Sequence, residues 1–256
     1  MIQHRAVAII PARLASTRFP EKILASRTGR PLIQHVHDAA AKCRALSRVV
    51  VACDHTRIDA AVRAFGGEAV MTSPDHPNGT ARLAEAATIL GLGDDEFVVN
   101  VQGDEPEIDP DVIDAAVQAL GAATSDRVVM ATVASPFAPD EDPTDPAIVK
   151  VVLRRDGTAL YFSRARIPFD RDNAGSAASV APLKHVGLYA YRAGFLRRYA
   201  AMAPTPLEAV EKLEQLRVLE HGLDIAVAVR RVTHHGIDTP DQYDAFVQRW
   251  QAASRG

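Results

Sequence analysis

Short runs of apolar residues along this chain alternate with stretches in which apolar residues recur at helical spacing. Val7-Ala8-Ile9-Ile10 predicts a buried strand that breaks at Pro11. Leu32, Ile33, Val36, Ala39, Ala40, Cys43 and Leu46 then predict a helix behind Pro31, a residue suited to a first turn. Val49-Val50-Val51-Ala52 predicts a strand and Asp54 a helix cap, and Ile58, Val62 and Phe65 predict a helix face that ends at Gly66-Gly67. Ala69-Val70-Met71 follows as a strand, Ala81 to Leu90 as a helix, and Phe97-Val98-Val99-Asn100-Val101 as a strand apolar enough to be central. A helix from Asp111 to Leu120 and a strand from Val128 to Val133 complete the series. Such alternation implies an α/β fold with a mostly parallel sheet covered on both faces, and ligands of such sheets gather beyond the carboxyl ends of the strands. The loop from Pro11 to Lys22 and the turn Gln102-Gly103-Asp104 both fall at that edge.

After Pro136 the rhythm changes. Pro136 to Pro146, rich in proline and acid, predicts a loop, and Asp156-Gly157 joins two apolar runs as a β-hairpin signal. Asp170 to Ala181 is polar and small and predicts another loop. His185 to Tyr191 predicts a strand, Leu207, Val210, Leu213, Leu216 and Leu219 one helix face ended by Gly222, and Ile225 to Val229 a last strand. Gly236 to Pro240 turns into a closing helix. The expectation is one domain over residues 1–256 with an inserted, antiparallel β-rich lobe at about 136–222.

Composition narrows the function classes. At 47% hydrophobic and 24% charged, the 256 residues match an ordinary globular protein. A formal net charge of -3 argues against general nucleic-acid or anionic-membrane binding, so an anion site has to be local. Cys43 and Cys53 have no zinc or redox spacing and suit a reducing compartment, which predicts a cytoplasmic protein. No stretch has the length of a membrane span.

Candidate chemistry concentrates at the predicted sheet edge. The loop after the first strand carries Arg13, Ser16, Thr17, Arg18 and Lys22, whose guanidinium forks, hydroxyls and ammonium suit phosphate oxygens. The spacing is neither a Walker A nor a G-x-G-x-x-G, and a solvated basic loop is the alternative. Asp104 and Asp238 each follow an apolar strand through a glycine-containing turn, and two such carboxylates suit Mg²⁺, although both also suit turn or helix caps. Asn78, Gly79 and Arg82 join a strand to a helix, where they either contact a base or ribose or simply cap the helix. The adjacent His234 and His235 have no spaced third ligand and read as polar loop residues. Arg164, His185, Tyr189, Glu214 and Gln215 suit an acidic, hydroxyl-rich substrate; His185 and Tyr189 share a strand face at even spacing, whereas Glu214 and Gln215 also read as a solvated helix face.

In order, the blocks I-P-A-R-L-A-S-T-R-F-P-E-K (10–22), D-H-P-N-G-T-A-R (75–82) and V-N-V-Q-G-D-E-P (99–106) are followed by four more. These are A-L-Y-F-S-R-A-R-I-P (159–168), H-V-G-L-Y-A-Y-R (185–192), L-E-Q-L-R-V-L-E (213–220) and G-I-D-T-P (236–240). Together they resemble the 3-deoxy-manno-octulosonate (Kdo) cytidylyltransferases, and the S-T-R of the first block differs from the glycine-rich loop of the CMP-sialate synthetases.

The resemblance implies a Rossmann-like nucleotidyltransferase sheet and the reaction of CTP with Kdo to give CMP-Kdo and pyrophosphate, with Mg²⁺, for lipopolysaccharide biosynthesis. Arg13, Ser16, Arg18 and Lys22 would bind the triphosphate, and Asn78, Gly79, Arg82 and Gln102 would line the nucleotide site. Asp104 and Asp238 would hold the metal, with Arg18 and Lys22 beside them in catalysis. Arg164, His185, Tyr189, Glu214 and Gln215 would line the sugar-acid site, and the protein would be a homodimer. No side chain stands out as general base, so deprotonation of the attacking hydroxyl falls to the metal. Two departures stand out: Glu21 replaces a frequent glycine and Asn78 a frequent serine. The rival functions are activation of amino-Kdo or sialic acid, and a non-catalytic CTP-binding module.

Overall fold

The structure, a computed structural model, describes residues 5–16, 18–171, 181–233 and 236–253. Most of the predicted Asp170 to Ala181 loop lies outside those residues, as do Thr17 and the His234-His235 pair. In chain order the elements begin β1 (Ala6–Ala12), α1 (Leu32–Ala40), β2 (Leu46–Cys53), α2 (Thr56–Ala64), β3 (Glu68–Met71), α3 (Gly79–Ile89), β4 (Phe97–Asn100) and α4 (Pro110–Gly121). They continue β5 (Val128–Pro136), β6 (Lys150–Leu153), β7 (Ala159–Ser163), β8 (Leu183–Arg192), α5 (Ala193–Ala200), α6 (Pro206–Glu211), α7 (Gln215–Glu220), β9 (Asp224–Val229) and α8 (Pro240–Ala253). The fold is mixed α/β, and the chain forms two compact units. One comprises residues 1–114, 192–200 and 233–256, the other 115–191 and 201–232.

In the first unit β1 lies between β2 and β4, and β3 follows on β2, all parallel. The apolar runs read from the sequence are these strands, and Ala8, Ile9, Ile10, Val50, Val51, Val98 and Val99 are completely buried. Ile9 pairs with Asn100, so the loops leaving β1 and β4 emerge side by side at the carboxyl edge. Three expectations are corrected here. The helix predicted to run through Leu46 stops at Ala40, because the Cys43 Sγ and the Ala45 N–H both donate to buried Asp114, at 2.9 and 2.8 Å, and Leu46 already belongs to β2. Pro31 is its N-cap rather than a first-turn residue. Asp54 does not cap α2, since His55 accepts from the Arg57 N–H in that role; Asp54 instead receives the Leu14 N–H at 3.0 Å.

In the second unit β5 runs parallel to β9 and antiparallel to β8, β6 and β7 form the predicted hairpin, and β6 also pairs with β8. Gly157 supplies the left-handed residue of the hairpin turn at φ 83°. Buried Lys150 donates to the carbonyls of Asp145, Ile148 and Arg164, so its three protons tie the preceding loop to the hairpin. The single helix predicted across Leu207 to Leu219 is two helices, α6 and α7, because Lys212 turns left-handed at φ 55°. The turn lets Glu208 pair with Arg217, at 2.7 Å to Nε. It also splits the apolar face: Leu213 and Leu216 are buried, while Leu207 is 41% and Val210 82% exposed.

Candidate active site

The loop after β1 reaches the sheet edge because its far end is fastened to α8. Phe19 and Ala25 pack against Leu32, Ile237, Tyr243, Phe246 and Val247, and the Arg27 N–H donates to the Tyr243 hydroxyl at 2.9 Å. Lys22 follows Glu21 in a single 3-10 turn over Lys22–Leu24. Its side chain is only 10% exposed, and its Nζ donates to the Asp104 carboxylate at 2.8 Å and the Ile237 carbonyl at 2.5 Å. Asp238 Oδ1 lies 3.5 Å from the same Nζ and accepts from Arg18 Nη2 at 2.8 Å. Arg18, Lys22, Asp104 and Asp238 therefore form one cluster, and the Ile237 N–H to Asp104 carbonyl bond of 2.8 Å joins the two carboxylate turns.

Glycine is required in one of those turns. A Cβ on Gly103 would stand 2.9 Å from the Pro11 carbonyl, so only glycine lets the turn carrying Gln102 and Asp104 approach the end of β1 this closely. Beside it, burial and the neighbouring Asp104 charge push the Glu105 carboxyl up to about 7. The other turn is held by α8: Gln242 Oε1 accepts from the N–H groups of Asp238 and Thr239, at 2.6 and 3.0 Å. The Gln242 N–H returns a 3.3 Å bond to the Thr239 hydroxyl, which makes a capping box. Thr239-x-x-Gln242 was a readable signal for that support.

The departure at Glu21 has a structural reason. Glu21 sits at φ 52°, a left-handed conformation in which glycine is unstrained, and its carboxylate forms a two-pronged ion pair with Arg57 of α2. The Arg57 guanidinium holds that carboxyl below the usual range. Glu21 thus turns its charge to Arg57, a partner invisible to local spacing.

Asn78 caps α3, accepting from the Ala81 N–H at 2.9 Å. A Cβ at Gly79 would make ordinary contact with Pro11 at 3.6 Å, so packing does not demand glycine there. Arg82 is completely buried: Nη1 donates to Thr72 at 2.6 Å and Nη2 to Asp54 at 3.3 Å, while its buried Nε has no partner among the described residues. Burial lowers its pKa, and the nearby positive charge of Arg13 adds to the effect. The Asp54 carboxylate works against both and offsets part of the shift. Arg13 is exposed and Ser16 half-buried on the same loop.

The second unit holds the remaining candidates. Arg164 is engaged with the protein, Nε donating to the Glu211 carbonyl at 2.8 Å and Nη1 to the Pro146 carbonyl at 3.0 Å. His185 meets Phe162 edge-on, with 5.0 Å between ring centroids, and lies 5.4 Å from the Tyr189 ring. Burial pushes its pKa down to about 3, so the imidazole is neutral. Glu214 is the N-cap of α7 and half-buried. Gln215 does not lie on a solvated face: it is 5% exposed, and its buried Nε2 has no hydrogen-bond partner among the described residues.

The oxygen donors suit a hard cation: two carboxylates, Asp104 and Asp238, already share one ammonium, and a Mg²⁺ would complete its shell with phosphate oxygens and water. Among the described residues no group of three or more His, Cys, Asp or Glu offers an all-protein cage. Cys43 and Cys53 are buried and free, with thiols pushed up to about 12 and about 11, which leaves them unreactive. Among the described residues no helix is long and apolar enough to cross a membrane.

Comparison with known proteins accords with this arrangement. The cytidylyltransferase family model matches residues 7–225. The 3-deoxy-manno-octulosonate cytidylyltransferase of Syntrophobacter fumaroxidans is 51% identical over 95% of this chain and 96% of its own, and that of Geobacter metallireducens is 48% identical over 96% and 97%. A solved structure of CMP:2-keto-3-deoxy-manno-octonic acid synthetase complexed with CTP superposes with a TM-score of 0.88 at 37% identity, covering 97% of this chain and 99% of that one. With the block order, the parallel edge and these full-length matches in agreement, the chain belongs to the cytidylyltransferase family, and within it to the 3-deoxy-manno-octulosonate cytidylyltransferases.

Proposed function

We propose that this protein transfers CMP from CTP to the anomeric hydroxyl of Kdo and releases pyrophosphate. The observation that carries the reading is the cluster of Lys22, Arg18, Asp104 and Asp238 at the carboxyl edge of a parallel sheet, in a chain of this family. The anomeric hydroxyl gives up its proton to solvent as its oxygen forms a new bond to the α-phosphorus, and the bond from that phosphorus to the bridging oxygen breaks, its electron pair leaving with pyrophosphate. Holding the two reactants in line contributes about 7 to 11 kcal/mol in favourable cases.

Arg13, Ser16, Arg18 and Lys22 orient the triphosphate and offset the charge that builds on the departing pyrophosphate, and Arg82 holds its place through Asp54 and Thr72. Asn78, Gly79 and Gln102 belong to the nucleotide side. Asp104 and Asp238 would hold Mg²⁺, which when bound supplies Lewis-acid polarisation of phosphoryl oxygen. On the sugar side Gln215 is the strongest candidate, because its buried Nε2 has no hydrogen-bond partner among the described residues and a ligand would supply one. Arg164, His185, Tyr189 and Glu214 complete that group. Leu160, Phe169 and Val210, 55%, 82% and 82% exposed, are apolar surface of the second unit that supports a homodimer.

Pyrophosphate release measured with each of the four NTPs, Mg²⁺, and Kdo, amino-Kdo or sialic acid tests the reading. Release with CTP and Kdo, abolished by chelator and restored by Mg²⁺, is expected. Release with sialic acid but not Kdo overturns the acceptor, and CTP binding without release under any acceptor marks a non-catalytic module. Sedimentation at micromolar concentration tests the dimer, and a single monomer boundary would remove it.

A further inference from the structure

Between β5 and β8 the pairing register skips. Thr132 pairs with Tyr189, but the next residue, Val133, pairs with Val186, which leaves Gly187 and Leu188 bulged out of β8. The completely buried Thr132 sits opposite this bulge, and its hydroxyl oxygen lies 2.7 Å from the Leu188 carbonyl, 3.1 Å from the Val186 carbonyl and 2.9 Å from His185 Nε2. A threonine hydroxyl has one proton, and carbonyl oxygens accept without donating. That proton therefore goes to a bulge carbonyl, and the hydroxyl oxygen has to accept from the ring. If the hydroxyl donated to His185 instead, two carbonyl oxygens would face it lone pair to lone pair.

We infer that Thr132 is a positioning residue that fixes His185 in the Nε2–H tautomer, so that Nδ1 is offered as an acceptor to a hydroxyl of the sugar acid. The bulge and the tautomer are one device: without the two displaced carbonyls the hydroxyl would be free to donate to the ring. Phe162 and Tyr189 flank the imidazole and the His185 N–H donates to the Val149 carbonyl at 2.8 Å, so ring and backbone are both held. The device also divides labour on the substrate. A neutral Nδ1 lone pair accepts from a hydroxyl and repels a carboxylate, so the carboxylate of the sugar acid is bound by other groups. The role toward substrate rests on the proposed sugar site, whereas the tautomer does not.

Nitrogen NMR of histidine-labelled protein, with and without Kdo, and steady-state kinetics of Thr132→Val, Thr132→Ser and His185→Phe test this. The expected result is a single Nε2–H tautomer of His185 in the wild type and in Thr132→Ser near neutral pH. Thr132→Val should lose that tautomer and raise the KM for Kdo about fivefold to tenfold, as for one neutral hydrogen bond, with kcat and the KM for CTP within about twofold. An Nδ1–H tautomer in the wild type overturns the inference even if no Thr132 variant folds. So does an unchanged KM for Kdo in Thr132→Val when His185→Phe raises it. If His185→Phe leaves that KM unchanged while the Nε2–H tautomer is found, the sugar-contact reading of His185 falls and the Thr132 device survives as structure alone.

Discussion

The two candidate clusters satisfy their polar groups in opposite ways. In the first unit charge meets charge: Lys22 lies against Asp104 and Asp238, and Arg18 pairs with Asp238. In the second unit two of the candidates are neutral: His185 bonds to a threonine hydroxyl, and Gln215 keeps a buried Nε2 without a partner among the described residues. The ionic cluster is tied together by Lys22, whose side chain is only 10% exposed and meets both carboxylates. Under the proposed function the Gln215 donor would be completed by the ligand itself. Under the proposed function the difference would match two tasks, since phosphate and metal are recognised by charge and a sugar's hydroxyls by neutral hydrogen-bonding groups.

The contrast is broken most severely at Asp104. Asp104→Asn keeps the shape but removes one of the charges that share Lys22, and pyrophosphate release at limiting Mg²⁺ should fall by about two to three orders of magnitude. Near-normal turnover across a Mg²⁺ titration would detach this residue from the chemistry. Gln215→Leu sharpens the other side: the KM for Kdo should rise about tenfold or more, while the thermal midpoint stays level or rises because a buried Nε2 without a partner among the described residues is gone. A lowered midpoint with unchanged KM would show that Gln215 supports the fold instead.

A smaller effect separates the clusters by pH. His185 has its pKa pushed down to about 3 in the folded protein, against an ordinary 6.5 when unfolded. Between those values the unfolded chain binds the extra proton, so stability contributed by this site is fully present above the upper value and falls as pH drops through the window. The slope is at most about 1.4 kcal/mol per pH unit, and urea melts of His185→Gln should lack this component. Equal slopes in both proteins would contradict it. The least effect is expected at Glu21→Gly, where relief of the left-handed strain, about 1 kcal/mol, is set against the loss of a solvent-screened, exposed ion pair with Arg57. Turnover should stay within about twofold, and a large loss would make the Arg57 pairing part of the phosphate loop's function.

Local pattern carried most of the fold. Buried runs such as Ile9-Ile10 and Val98-Val99 are strands because continuous apolar, β-branched residues suit a sheet covered on both faces, and Asp156-Gly157 made its hairpin because glycine accepts positive φ. Pattern failed where apolar spacing continued across a break. Leu46 and Leu207 each kept helical spacing with a neighbouring element, yet Asp114 ends one helix from 71 residues away and Lys212 turns left-handed to end the other. Asp54 read as a cap from its position before a helix, and its real partners, Leu14 and Arg82, are distant in sequence.

By itself the sequence determined the alternation of strands and helices, the carboxyl edge to which the loops bearing Lys22 and Asp104 run, and, through its ordered blocks, the family. These follow from short-range periodicity and from residue types at near spacing. Tertiary structure alone decided which groups meet: that Lys22 lies against two carboxylates, that Glu21 turns to Arg57, that Gln215 is buried with its Nε2 unpartnered among the described residues, and that a bulge leaves Thr132 to orient His185. Each of these depends on contacts between segments far apart in sequence, where burial and one-proton hydrogen bonding, rather than spacing, fix the outcome.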